Sequence, residues 1–505
     1  MICQFRACEE VGRMKQINRR TFIRNTAALA AGMSLASCKN ELATATNKSV
    51  KRPNILFVFP DQFRRQAMGF MGADPVITPN LDRLASESLV FTNTCSNYPL
   101  CSPFRGMLMT GKYPYSNHLL SNCCSAFTKY GVYLRQHERC ISDVLYDAGY
   151  STGYIGKWHL DAPDAPDVDD WRKAVWDAYT PPGPGRHGFE FWYSYGCMDK
   201  HLNPHYWINN ASEKEKTVVH EWSPRHEAGV AIDFIRNKDG KNRRADKPFA
   251  LFVAMNPPHP PFNRVPREYL ERYHGKTARE LLNRQNVDFS INKGNTSRAK
   301  KWVNYYFAAV TGVDEQFGRI LKCLVDEGVE KETIVVFAAD HGEMMGSHNR
   351  MHKNIWYEES LGIPFIIRWP GHIAAGREDM PLSVPDFMPS LLGLAGLGDM
   401  IPAGVEGTDY SDVMLGKSAR KADSALYVAP GLEKGGIGSL RGVRTRRYFL
   451  VVKRSKGQEQ YTLFDLENDP YQLNNIADDE AGQVSRLRSI LGYWLDKTSD
   501  PWNDV

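Results

Sequence analysis

Ile55-Leu56-Phe57-Val58-Phe59 is a continuous apolar run of the length expected for a strand buried on both faces, and it stops abruptly at Pro60-Asp61-Gln62. Three further runs end the same way. Thr152-Gly153-Tyr154-Ile155 leads into Gly156-Lys157-Trp158-His159, and Phe249 to Met255 leads into Asn256-Pro257-Pro258-His259. Thr333-Ile334-Val335-Val336-Phe337 runs through two alanines into Asp340-His341-Gly342. Helix-like stretches alternate with these runs, among them Pro79 to Glu87, Cys140 to Ala148 and Ala299 to Glu327. The pattern predicts an α/β fold, a large domain with a mostly parallel central sheet flanked by helices. Ligands of such sheets bind outside the carboxyl ends of the strands, so four strand ends would deliver polar side chains to one crevice.

Those side chains fall into two chemical groups. Asp61, the side-chain carbonyl of Gln62 and Asp340 are hard oxygen donors suited to Ca²⁺ or Mg²⁺. Lys157, His159 and His259 are hydrogen-bond donors suited to an anion. A cation beside a bound oxyanion fits hydrolysis of a sulfate or phosphate ester.

The composition sets outer bounds. The 505 residues are 42% hydrophobic and 24% charged, a globular balance, and exceed one ordinary domain. A formal charge of +5 is too weak a bias for nucleic-acid binding. Ten cysteines are too few for a disulfide scaffold.

One of those cysteines opens the most specific stretch in the chain, Cys101-Ser102-Pro103-Phe104-Arg105-Gly106-Met107-Leu108-Met109-Thr110-Gly111-Lys112. Pro103 suits the first turn of a helix, which places Cys101 at a helix N-terminus where free N–H groups favour negative charge. Arg105 can neutralise an anion formed there. The segment reads as a poised nucleophile.

This stretch resembles the signature of type I sulfatases in the alkaline-phosphatase superfamily, the formylglycine-dependent enzymes that include bacterial polysaccharide sulfatases. Cys, Pro and Arg of the Cys-x-Pro-x-Arg core are present, and Thr110-Gly111 follows in place; Phe104 stands where serine is common. The resemblance extends from about Lys51 to Ala477. It implies that Cys101 is oxidised to formylglycine (3-oxoalanine) by a maturation enzyme. It implies a metal site of Asp61, Gln62, Cys101, Asp340 and His341, with Gln62 in the place of a second aspartate and His341 in that of an asparagine. Ca²⁺ is the expected ion, and Mg²⁺ or another divalent cation also suits the set. Arg105, Lys157 and His159 (in Gly-Lys-Trp-His), His259 and Lys353 match the remaining catalytic positions.

The mechanism implied by the resemblance uses the hydrated aldehyde. One hydroxyl, made acidic by the metal, attacks sulfur in line while His259, aided by Lys353, protonates the leaving oxygen. The second hydroxyl then gives its proton to His159, which expels sulfate and restores the aldehyde.

The N-terminus reads as an address. Arg19-Arg20-Thr21-Phe22-Ile23 before the small and apolar run Ala27 to Ala36 resembles a twin-arginine signal, and the run is about half the ~20 residues that span a bilayer. Leu35-Ala36-Ser37-Cys38 resembles a lipoprotein cleavage box with Cys38 as the lipidated residue. Residues 1–37 are therefore expected to be a signal peptide and 38–51 a polar tether. The catalytic sulfatase domain is expected at 52–420, and a smaller C-terminal α+β subdomain with an antiparallel sheet and a helix at 421–505. An exported bacterial lipoprotein, periplasmic or at the cell surface and anchored to membrane, follows from this reading. Loss of residues 1–37 removes six basic and two acidic residues and lowers the net charge from +5 to +1.

The segment Arg186 to Trp207 interleaves aromatics with cations, as a surface for a sulfated sugar would. Arg186, His201 and His205 there, and His348 and Arg350 in the loop before Lys353, are the expected substrate contacts. The expected substrate is a sulfated polysaccharide or oligosaccharide, algal (ulvan, carrageenan) or a glycosaminoglycan. The alternatives are a phosphodiester or phosphonate monoester hydrolase of the same superfamily, and a catalytically silent, lipid-anchored glycan-binding protein.

Overall fold

The computed structural model describes residues 52–430, 440–455 and 457–504. The expected signal peptide and tether, including Cys38, lie outside these residues. Ten strands form the central sheet: β1 (Asn54–Val58), β2 (Leu89–Phe91), β3 (Ser151–Lys157), β4 (Phe191–Tyr195), β5 (His205–Ile208), β6 (Thr217–Val218), β7 (Phe249–Ala254), β8 (Thr333–Ala338), β9 (Phe365–Arg368) and β10 (Gly376–Glu378). Their order is β10-β2-β9-β8-β1-β7-β3-β4-β5-β6.

The middle of the sheet, β8-β1-β7-β3-β4, is parallel throughout. Every residue of β3, β7 and β8 is buried, which explains why these strands read as unbroken apolar runs rather than alternating ones. Antiparallel pairing enters only outside this block, at β8–β9, β9–β2, β4–β5 and β5–β6. The sheet is therefore mixed at its flanks and parallel where it carries chemistry.

Helices cover the sheet. The helix Gly294–Asp326 starts five residues before the apolar periodicity suggests. Its buried Asp314 accepts hydrogen bonds from the backbone N–H groups of Asn80 (3.2 Å) and Leu81 (2.7 Å), the free donors at the start of the helix Pro79–Ser86. Among the described residues no helix is long and apolar enough to cross a membrane.

A second sheet is antiparallel, β11 (Ala425–Ala429), β12 (Leu440–Arg444), β13 (Tyr448–Ser455) and β14 (Gln458–Asp465) in sequential order, followed by the helix Ala481–Lys497. It is fastened to the catalytic elements by polar contacts. Asn97 donates from Nδ2 to Leu426 O at 2.7 Å, and the guanidinium of Arg444 pairs with Glu358, a residue just downstream of Lys353.

The end of β3 shows how tightly the parallel block is built. Gly156 has φ +95°, and a Cβ there would lie 2.2 Å from the carbonyl oxygen of Ala254 in β7. Gly156→Ala is expected to lower stability by about 3 kcal/mol through backbone strain and overpacking. Urea unfolding measures this; an unchanged midpoint would contradict the close approach.

Candidate active site

Four strand ends converge as their order in the sheet requires. β1 leads to Asp61 and Gln62, β3 ends on Lys157 with His159 two residues on, β7 leads to Asn256 and His259, and β8 leads to Asp340 and His341. Opposite them, the helix Cys101–Thr110 begins at Cys101 itself, after extended Leu100, and all ten of its residues are buried. Ser102 locks this helix end to the β3 loop, donating to His159 O (2.7 Å) and accepting from Cys123 N–H (3.0 Å).

The Cys101 Sγ is the focus of the cluster. It lies 3.4 Å from His341 Nε2, 3.4 Å from Lys353 Nζ, 3.8 Å from Asp61 Oδ1 and 3.9 Å from Lys157 Nζ. Burial and the Asp61 carboxylate push the thiol up, but Lys157, Lys353 and His341 outweigh them and hold it well below the ordinary thiol range. The position favours an anionic atom.

Asp61 is fully buried and pairs through Oδ2 with Lys157 Nζ (2.7 Å) and Arg105 Nη2 (3.3 Å). Burial opposes its charge, yet Lys157, His259, Lys353 and His341 together hold it well below the usual carboxylate range. Arg105 also reaches Asp340 Oδ2 (3.4 Å), donates to Lys157 O and lies over the Phe59 ring at 5.1 Å. Burial pulls Lys157 down, but Asp61 and the Cys101 thiol keep it well above the ordinary lysine range.

One oxygen or nitrogen each of Asp61, Asp340 and His341, with Cys101 Sγ, lie within 4.8 Å of one another, all buried. Burial and the neighbouring Asp61 carboxylate push Asp340 up to about 7. Two carboxylates that oppose each other's ionisation in a buried pocket are what a divalent cation relieves, so the residues present fit a metal. Gln62 stands at the same place, with its N–H on Asp340 Oδ1 (2.9 Å). Its side-chain carbonyl accepts from Lys353 Nζ at 2.7 Å, and its amide donates to Glu343.

His159 is buried, and burial pulls it below the ordinary imidazole range. Its Nε2 lies 3.1 Å from Cys123 O, which selects the tautomer protonated at Nε2; among the described residues its buried Nδ1 has no hydrogen-bond partner. His259 is turned the opposite way. Its Nδ1 lies 2.7 Å from Pro260 O and 3.3 Å from Asp199 Oδ1, so the ring is held through Nδ1 and not through Nε2 among the described residues.

Three residues here escape a reading of motifs. Asn256 Oδ1 accepts from Lys157 Nζ at 3.2 Å, and its position two residues after β7 is the signal that could have found it. Glu343 is buried and, besides Gln62, accepts from the N–H groups of Met345 (2.9 Å) and His352 (2.7 Å), so it shapes the loop that presents Lys353. Asp199 carries no sequence signal.

The expected substrate contacts are scattered. Arg186 is buried, its guanidinium bonded to Thr180 O and Asn209 O and set over Trp192 at 5.0 Å. His205 pairs with Asp177 (2.8 Å), and His201 donates to His259 O (2.9 Å), next to the site. His348 stacks on Tyr357 with centroids 3.7 Å apart, and Arg350 is exposed. The aromatics of this segment are packed inside, with Trp192 1% and Trp207 2% exposed.

The sulfatase family matches residues 53–397. The chain belongs to the sulfatase family. Residues 346–493 also match the family described as N-sulphoglucosamine sulphohydrolase, C-terminal. An endo-4-O-sulfatase of Bacteroides thetaiotaomicron is 41% identical over 490 residues, covering 90% of this chain and 94% of that one. An ulvan-active sulfatase of Formosa agariphila is 32% identical, covering 89% and 82%. A solved structure described for metabolism of multiple glycosaminoglycans by Bacteroides thetaiotaomicron superposes with a TM-score of 0.82 at 41% identity, covering 90% of this chain and 98% of that one. The protein is thus a sulfuric ester hydrolase, and the buried cluster of Asp61, Cys101, Asp340 and His341 is its candidate metal centre.

If the Asp61–Asp340 pair holds a divalent cation, adding one to chelator-treated protein raises the melting temperature, by linkage of binding to folding. In Asp340→Asn that rise should be lost or reduced to about a third. Calorimetry measures it, and an equal rise in the variant would contradict the assignment.

Proposed function

We propose that this sulfatase removes sulfate from a sulfated polysaccharide or oligosaccharide, with Cys101 converted to formylglycine by a maturation enzyme. The observation that carries the reading is the setting of Cys101. A helix-start side chain is buried among two ammonium groups, an arginine-braced carboxylate pair and two histidines, one of them with a free basic nitrogen. The glycan class is supported by the endo-4-O-sulfatase and the ulvan-active sulfatase among the relatives. Algal polysaccharides and glycosaminoglycans both suit it.

Asp61, Gln62, Asp340 and His341 would hold the cation, Ca²⁺ first and Mg²⁺ next by preference for hard oxygen donors, while the imidazole also admits a transition ion. When bound, the cation lowers the pKa of the attacking hydroxyl and offsets charge on the sulfuryl oxygens.

The side chains divide the remaining work. Arg105 and Lys157 brace Asp61 and fix position 101. Lys353, 3.4 Å from Cys101 Sγ, and His259 bind sulfate oxygens. His259 donates a proton from Nε2 to the sugar oxygen as the S–O bond to the sugar breaks, and Asp199 and Pro260 O steady its Nδ1–H. His159, neutral with Nδ1 unpartnered, accepts the proton of the second hydroxyl, so sulfate departs and the aldehyde is regenerated. The twin-arginine and lipobox segments support export and a lipid anchor at Cys38, with sulfated glycan met outside the cytoplasm.

Sulfate release from defined sulfated oligosaccharides, read by ion chromatography, tests the function, with a phosphodiester and a phosphonate monoester as competitors. Faster turnover of either competitor would overturn the reading. Cys101→Ala is expected to lower release about 10³-fold or more while the protein still melts cooperatively. The mass of the wild-type peptide spanning residue 101 should show the sulfur gone. Asp199→Asn is expected to lower kcat about tenfold, by loosening the proton donor rather than removing it. An unchanged kcat would detach Asp199 from His259.

A further inference from the structure

The exposed indole surface beside the site lies in the connection between β3 and β4, which leaves the site directly after His159. Trp176 sets its ring 6.1 Å from the ring of His159. Trp171 stands edge-on to Trp176, with centroids 6.4 Å apart and planes at 89°, and is 49% exposed. A file of rings thus runs from His159 out to solvent.

The backbone that carries Trp176 is hydrogen-bonded on both sides. Val175 and Ser125 exchange two hydrogen bonds, Ser125 N–H to Val175 O at 2.9 Å and Val175 N–H to Ser125 Oγ at 3.0 Å. On the other side of Trp176, Asp177 accepts from the N–H groups of Gly196 (3.1 Å) and Cys197 (3.2 Å) and pairs with His205. Gly196 passes so close that a Cβ on it would lie 2.2 Å from Ala178 N. Trp176 is therefore held between two clamped neighbours. Further out, Lys129 pairs with Asp169 at 2.5 Å, and Asp170 accepts from Arg172 N–H at 3.1 Å, at the turn that carries Trp171.

A lone half-exposed tryptophan is ordinary surface. Here the exposed ring continues a second ring that packs beside a residue of the reaction centre, on a backbone hydrogen-bonded on both sides of Trp176. Pyranose rings present C–H faces that pack on indoles, whereas an isolated small sulfate ester would not reach Trp171.

We propose that Trp171, buttressed edge-on by Trp176, is a stacking platform for a sugar ring neighbouring the one whose sulfate is cleaved. The platform rests on the glycan reading and deepens it, since it requires a substrate longer than one sugar.

The test uses the matured, full-length protein with chondroitin, ulvan and carrageenan hexasaccharides, and sulfate release as the readout. On whichever oligosaccharide is turned over, Trp171→Ala is expected to raise KM about tenfold, and Trp171→Phe to recover most of that loss. Tyr493→Ala, which removes an exposed aromatic on the C-terminal helix, is expected to match wild type. A KM for Trp171→Ala within about twofold of wild type, or no recovery in Trp171→Phe, would overturn the platform while leaving the glycan reading in place. Wild-type protein that cleaves 4-nitrophenyl sulfate and none of the hexasaccharides would remove the glycan reading and the platform together.

Discussion

Five ionisable side chains with no solvent exposure, Asp61, Arg105, Lys157, Asp340 and His341, surround the thiol of Cys101, and the rest of the structure serves to keep them there. Moving such groups out of water costs several kcal/mol per ion unless each finds a partner. The Asp61 carboxylate is the hub, since it meets Lys157, Arg105 and His341 at once. Three cations, Arg105, Lys157 and Lys353, face two carboxylates, and the carboxylates are close enough to hinder each other's ionisation. A divalent cation and an anionic sulfate group complete such an array, and this is the physical sense of the site.

The parallel block of the sheet supplies the precision. Adjacent parallel strands end at one level, so Asp61, Lys157, Asn256 and Asp340 reach the cluster from neighbouring strands. The close approach of Gly156 to Ala254 shows how little slack remains. The described residues of the C-terminal sheet add no ligand to the cluster. Through Arg444 and Glu358 it instead steadies the stretch that follows Lys353.

Much of this was legible before any coordinates. Strands buried on both faces leave unbroken apolar runs, so β1, β3, β7 and β8 could be located within two residues, together with the polar residues that follow them. The edges of the sheet were less legible, because β2, β6 and β10 are two or three residues long and leave no periodic trace. Asp199 and Glu343 were missed because they act through loop geometry that no spacing encodes. The segment Arg186 to Trp207 is largely packed inside, for a physical reason. Aromatics interleaved with cations read as a sugar surface, but β4 and β5 lie within the packed sheet, where Arg186 is set over Trp192 and satisfied by backbone carbonyls. The indoles that do reach solvent sit in a connection whose only regular structure among the described residues is short 3-10 turns, where pattern reading has least to hold.

The central claim is that the buried charges around position 101 are arranged for one cation and one sulfuryl group. A crystal structure of the matured protein with bound sulfate tests it most directly. The account predicts cation density against the Asp61 and Asp340 carboxylates, an oxygen-bearing side chain at 101, and sulfate oxygens on Lys353 and His259. An unmodified thiol, with Asp61 closed onto Lys157 and no cation between Asp61 and Asp340, would contradict it.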